Sequence, residues 1–281
     1  MNEKKQADHQ KELEEKSNTI EEGKKYSDIL SRVVHDGEEM FKIKNKAIFL
    51  SALIAGLEIG FSYFMICTLH YLLIGSFEES AIFKMFALVY PVGFILVVLG
   101  KSALFTEQTS LLALPVLNGQ RSVLEMFRIW FLVIAGNILG GIAFTFFIGA
   151  IAPELGLFDT NTMVAVGEHV LHYKTWVLFV SAITAGWLMG LLTWLISSTI
   201  DSFTRLAIII LITGVIGFGG FHHSIVGNIE AFGAFLHSDT VSLWDYLSFL
   251  LLALVGNAIG GAIVVGLFKY RIFESNYADK T

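Results

Sequence analysis

GKSALFTEQTS (residues 100–110) and GFGGFHHSIVGNIE (residues 217–230) each interrupt a long apolar run, roughly 85–117 and 204–236. About 20 apolar residues suffice to cross ~30 Å of hydrocarbon as a helix, so each run is too long, and too polar at its centre, for one plain spanning helix. Unpaired backbone is very costly in lipid; a break at membrane depth is tolerated only where protein buries it or where it lines a cavity. Two such breaks in one chain point to one pore. The helix that restarts after a break presents unpaired N–H groups and a partial positive charge, so an anion is favoured there without a fixed cation.

The rest of the chain fits that reading. Of 281 residues, 54% are hydrophobic and 16% charged, and the mean hydropathy is +0.66, which excludes an ordinary soluble domain. Six stretches qualify as membrane spans, at about 47–74, 85–117, 124–151, 175–200, 204–236 and 244–269. The organisation expected is a charged N-terminal helical segment (1–45), a transmembrane domain (46–270) and a short tail (271–281). Basic residues in short loops set orientation. Ten of the nineteen Lys and Arg precede residue 47, and Arg121, Arg128, Arg205, Lys269, Arg271 and Lys280 join them on one side, against Lys84 and Lys174 on the other. Both termini are therefore expected in the cytoplasm, with the chain in the inner or plasma membrane. The start, MNEKKQADHQ, lacks the apolar segment of a cleaved signal, so insertion is expected to rely on the first span. Ile29, Leu30, Val33 and Val34 form an apolar stripe just ahead of it, read first as a solvated helix leading into the membrane and second as a gate. A single cysteine, Cys67, rules out a disulfide or Cys-based metal site within one chain; no metal, cofactor or nucleic-acid partner is expected.

An internal repeat decides the architecture. Gly136-Asn137-x-x-Gly140-Gly141 in the third span recurs as Gly256-Asn257-x-x-Gly260-Gly261 in the sixth, and Ala55-Gly56-x-x-x-Gly60 in the first recurs as Ala185-Gly186-x-x-x-Gly190 in the fourth. Three spans repeated after an odd number of crossings are inverted in the membrane, a pattern in which paired broken helices mark the transport site. The repeats fall at about 46–152 and 174–270. The small residues permit close helix approach, and each Asn can bond across helices. The fold expected is an all-α integral membrane protein with six transmembrane helices in two inverted three-helix repeats, with helices 2 and 5 broken at the membrane centre.

Within the breaks, Leu104, Phe105, Thr106 and Glu107 combine apolar side chains with a hydroxyl and a carboxyl, and Phe221, His222, His223 and Ser224 place imidazoles between glycines and the next half-helix. Ionisable groups inside a membrane are expensive and mark pathways. A histidine there serves as a neutral hydrogen-bond donor or takes a proton as an anion arrives. The LFT of the first break, the GF-x-HS of the second, the repeated GN-x-x-GG and the AG and AGW of spans one and four together resemble the formate/nitrite transporter family over roughly residues 45–270. That resemblance implies an aquaporin-like homopentamer with one pore per protomer, carrying small monovalent anions or their conjugate acids (formate, nitrite, hydrosulfide, acetate, lactate) together with protons. It implies that His223 is the central pore histidine, Thr106 the threonine facing it and Leu104 a constriction residue. Phe105 belongs to the same loop, Tyr90 and Ile216 stand at constriction positions where phenylalanine is frequent, and Ser224 and Asn228 line the second loop.

The departures from the family pattern bear on substrate. Ala103 replaces an acid commonly found before LFT, Lys101 is nearby, and His222 stands where Glu is frequent. Gly227 occupies the place of the family's Asn, and the vestibule lysine aligns with Val170, leaving Lys174, His169 and His172 near that mouth. Lys101 is expected to pair with Glu107 or Glu58, the alternatives being snorkelling or a fixed attraction for anions. Glu58, Glu107 and Glu230 are further carboxyls in the spans. Three other readings stay open: a closed-pore sensor or scaffold; an aquaporin-like channel for a neutral solute, disfavoured because the NPA signature is absent; and an intramembrane enzyme, for which no HExxH motif, nucleophile elbow or ligand-spaced set is present.

Overall fold

The computed structural model describes residues 26–277, which are helical apart from short connections and an isolated bridge between Ile74 and Phe77. In chain order the helices are α1 (Tyr26–Lys42), α2 (Asn45–Leu73), α3 (Glu79–Met85) with a 3-10 turn (Phe86–Leu88), α4 (Pro91–Gly100), α5 (Phe105–Leu117), α6 (Val123–Ile151), α7 (Thr160–Leu171), α8 (Thr175–Ser198), α9 (Ser202–Gly219), α10 (Ser224–His237), α11 (Leu243–Ala258), a π-helical stretch (Ile259–Leu267) and α12 (Phe268–Tyr277). Six of these units are long and apolar enough to cross a membrane: α2, α3–α4, α6, α8, α9 and the last run from Leu243 to Ser275. The shorter α5 and α10 follow the second and fifth. Phe131, Leu211 and Leu251 are 71%, 65% and 64% exposed, side chains that water would not tolerate in such a belt but lipid solvates.

Helix starts are written locally. Ser122 and Ser242 each close a capping box with Glu125 and Asp245, opening α6 and α11, while Asp201 caps α9. The repeat motifs then set how closely helices pack. A Cβ on Gly140 would collide with the Leu53 carbonyl of α2, and one on Gly260 with the Ile183 carbonyl of α8. Small residues thus bring backbones into contact at the same place in each half. The halves differ in one respect: α6 runs through its motif as α-helix, whereas the chain turns π-helical at Ile259, just after Asn257.

The amphipathic α1 does not stand free in solvent. Leu30, Val33, Gly37 and Phe41 are buried, at the i, i+3, i+7 spacing of one helix face. That face lies on α5 and α8, with Ile29 and Val34 partly buried at its edge. Arg121 grips Glu38 through Nε and Nη2 at 2.9–3.1 Å and sits over the Phe41 ring. At the other end the Tyr26 hydroxyl donates to the Lys269 carbonyl at 2.6 Å. The expectation of a solvated lead-in helix is corrected for residues 26–42; residues 1–25 of that segment lie outside the described residues.

Candidate functional site

Both breaks are held by one frame, used twice. Asn137 of α6 accepts from the Phe105 N–H at 2.9 Å and donates its amide to the carbonyls of Ala52 and Ala103. Asn257 accepts from the Ser224 N–H at 2.8 Å and donates to the carbonyls of Ala182 and His222. Two serines complete the frame: Ser51 accepts from the Ala103 N–H and Ser181 from the His222 N–H. The helices before the breaks end alike, with Lys101 (φ 58°) and Gly220 (φ 63°) in the left-handed region. Glycine takes that conformation freely; lysine does so at a cost. Gly136 and Gly256, beside the two asparagines, are buried against α2 and α8.

This frame revises the expectation that the half-helices offer bare N–H groups. Phe105 and Ser224 give theirs to the asparagines, and the Val226 N–H donates to His223 Nδ1 at 3.3 Å. His223 therefore caps α10. Since Nδ1 accepts, the neutral ring carries its hydrogen on Nε2, and Nε2 lies 2.8 Å from Thr106 Oγ1. The imidazole thus donates to the threonine hydroxyl, whose own hydrogen is left to point elsewhere. Both residues are at most 1% exposed, and Phe94 stands edge-on to the His223 ring at 5.0 Å.

A cavity lies on each side of this contact. On the face away from the termini, about 250 Å³ is lined among others by Tyr90, Ile216, His169, His222, His223 and Glu230. On the terminal face, about 490 Å³ is lined by α1 residues, by Ala103, Glu107 and Gln108 on the chain around Thr106, and by Lys101 and Arg205. Leu104 and Thr106, fully buried, line neither and stand where the two cavities end. The histidine side follows helical periodicity: His223, Gly227 and Glu230 fall at i, i+4 and i+7, one face of α10.

Other expected site residues lie elsewhere. Phe105 turns toward Trp130 and the apolar groove between α6 and the last span. Asn228 accepts from the Tyr246 hydroxyl at 2.7 Å, and neither it nor Ser224 lines a cavity. Lys101 is exposed in the terminal-face cavity and makes no ion pair among the described residues, so the expected pairing with Glu107 or Glu58 is absent. The reason is its position: past the end of α4, in a left-handed turn, it heads for solvent. Glu58 is half-buried with Oε2 unpartnered. Lys174 and His172 are exposed outside the distal cavity, whereas His169 stacks on Phe83 at 3.5 Å within it. Burial, reinforced by the Lys84 ammonium, pushes His169 down to about 4. No cluster of three metal-ligating side chains occurs among the described residues.

Two contributors went unread in the sequence. Helix α7, unread as a helix, adds Val166 to the His169 and Val170 already expected near the distal mouth; its signal is the Asp159-x-x-Thr162 cap, in which the carboxylate accepts from the Thr162 N–H. Ser51 and Ser181 extend the repeat to Ser-Ala-x-x-Ala-Gly in both halves.

Comparison with known proteins places the fold and the family. The family model described as formate/nitrite transporter matches residues 27–271. The inner membrane protein YfdC of Escherichia coli is 29% identical, covering 97% of this chain and 90% of its own. The formate channel FocA of Haemophilus influenzae is 26% identical over 67% of this chain and 74% of its own. Among solved structures, an FNT family ion channel superposes with a TM-score of 0.77 at 22% identity, covering 88% of this chain and 99% of that one. A pentameric formate channel with formate bound gives 0.69 at 22% identity, over 82% of this chain and 97% of that one. The chain belongs to the formate/nitrite transporter family.

Proposed function

We propose that this protein conducts small monovalent weak-acid anions, of the formate and nitrite class, across the cell membrane, with proton transfer at His223. It works as a homopentamer with one pore per protomer and both termini in the cytoplasm. The observation that carries the reading is the His223–Thr106 contact, buried between two cavities on opposite faces. Stripping an anion of water costs many kcal/mol unless donors or neutralisation compensate. Nε2–H of His223 and the Thr106 hydroxyl are such donors. Neutralisation requires the imidazolium, which loads its second proton on Nδ1 and so gives up the Val226 N–H. Its Nε2–H bond then breaks as an O–H bond forms on the anion, and the neutral acid passes the apolar residues around Leu104. Hydronium from the distal side protonates Nε2 again, leaving water.

The test is flux in proteoliposomes for formate, nitrite, hydrosulfide and chloride between about pH 5 and about pH 8, a range that brackets imidazole titration, with His223→Ala beside wild type. Weak-acid flux that rises at low pH and collapses in the variant is expected. Equal chloride and formate flux refutes the proton step. No flux for any anion favours a closed-pore sensor, a reading to which the uninterrupted burial of Leu104 and Phe94 lends some support.

A further inference from the structure

We infer that Glu230, which shares the distal cavity with His222, is a proton-loading station that admits substrate from the distal face only when the Glu230 carboxyl carries a proton. The inference rests on the proposed weak-acid transport. Glu230 is 6% exposed, lines the distal cavity, and its carboxyl makes no hydrogen bond or ion pair among the described residues. His222 is 4% exposed and lines the same cavity; its Nδ1 is tied to Ser181 Oγ at 2.8 Å, and its ring meets the Val170 backbone although Nε2 makes no well-formed hydrogen bond. A buried nitrogen of this kind calls for a ligand or water.

The surroundings restrict what Glu230 responds to. Facing it are Tyr63 and Cys67 on α2 and Tyr90 ahead of α4, and His169 on α7 with His222 and His223 from the break share its cavity; Lys84 sits at the mouth, its ammonium donating to the Phe218 carbonyl at 3.0 Å. Among the described residues no lysine or arginine pairs with the carboxyl. A charged Glu230 therefore opposes an anion across a small apolar-walled space in which Coulomb forces are weakly screened. A protonated one removes that repulsion and offers its O–H as a hydrogen-bond donor to the anion, the carboxyl taking its proton from hydronium on the distal side, while proton transfer to the substrate stays at His223. The terminal-face cavity differs, since Arg32, Lys101 and Arg205 line it against Asp36 and Glu107. Anions meet net attraction there and a proton toll on the other side, so the two directions of flux differ in pH dependence.

The experiment is labelled formate uptake into proteoliposomes, with pH varied on the distal side alone and sidedness read from protease access to the N-terminal segment. Above the carboxyl's titration, wild-type uptake is expected to fall about tenfold per pH unit, as the protonated fraction does. Glu230→Gln, neutral at every pH and still a hydrogen-bond donor, removes that step, so uptake above it exceeds wild type and keeps only the shallower dependence that His223 imposes. Glu230→Asp keeps a step at a displaced pH, and it carries the test alone if the Gln variant does not elute as a folded protein in detergent. A Gln or Asp profile that overlays wild type overturns the inference while leaving weak-acid transport standing. Absence of wild-type formate flux removes the transport reading itself, and this inference with it.

Discussion

Replacing Thr106 by Val keeps the shape and deletes the acceptor for His223 Nε2–H. An orphaned buried donor costs about 1–3 kcal/mol, so Thr106→Val is expected to lower the melting temperature as well as weak-acid flux, measurable by thermal unfolding in detergent. Lys101→Gly acts in the opposite direction. It places at φ 58° the residue type that Gly220 already supplies at φ 63°, and is expected to stabilise by about 1 kcal/mol while weakening anion attraction from the terminal face. At this scale the sequence was readable where chemistry and backbone agree: His223 and Thr106 sit beside the breaks that bring them together. It misled where helical phase intervenes. Phe105 is one residue, and so about 100° of turn, from Thr106, and it faces the neighbouring groove. Asn228 follows Gly227 by the same step and turns from the cavity to Tyr246. The partners imagined for Lys101 failed because a left-handed turn is invisible when no glycine announces it.

Each break depends on one asparagine making three hydrogen bonds, a frame mirrored at Asn257. Asn137→Ala and Asn257→Ala each strand buried backbone groups and are expected to cost about 2–4 kcal/mol, read as a drop in detergent melting temperature. Helix α7 offers a pH-dependent case. Hydrogen bonds from Thr162, chiefly from its N–H, hold the Asp159 carboxyl below the usual carboxylate range. A depressed acid stabilises above its unfolded value and ceases to do so as pH falls through its lower folded one. The first turn of α7 is expected to lose hydrogen-exchange protection in acid, below the ordinary aspartate range, and Asp159→Asn to abolish that transition. The six spans were legible because apolar length is a property of sequence alone. The π-helical turn after Ala258 was not, since Ile259-Gly260-Gly261 differs little from Leu139-Gly140-Gly141, which stays α-helical.

Across the whole molecule, α1 joins the two halves at the terminal face: Arg121 before α6 holds Glu38, and Lys269 beyond the π-helical stretch receives Tyr26. Arg121→Ala is expected to free the C-terminal end of α1 and to speed proteolysis between α1 and α2 several-fold, with the spanning helices unaffected. The duplicated asparagine frame has a further, electrical consequence. With the backbone pinned on both sides of the Thr106–His223 contact, widening falls to side chains such as Leu104 and Phe94, whose rotamers change on roughly picosecond to nanosecond scales in free settings and more slowly when packed. Recordings from a single pore would then show flicker averaged into a reduced mean current, with added noise, instead of long resolved dwells at discrete levels.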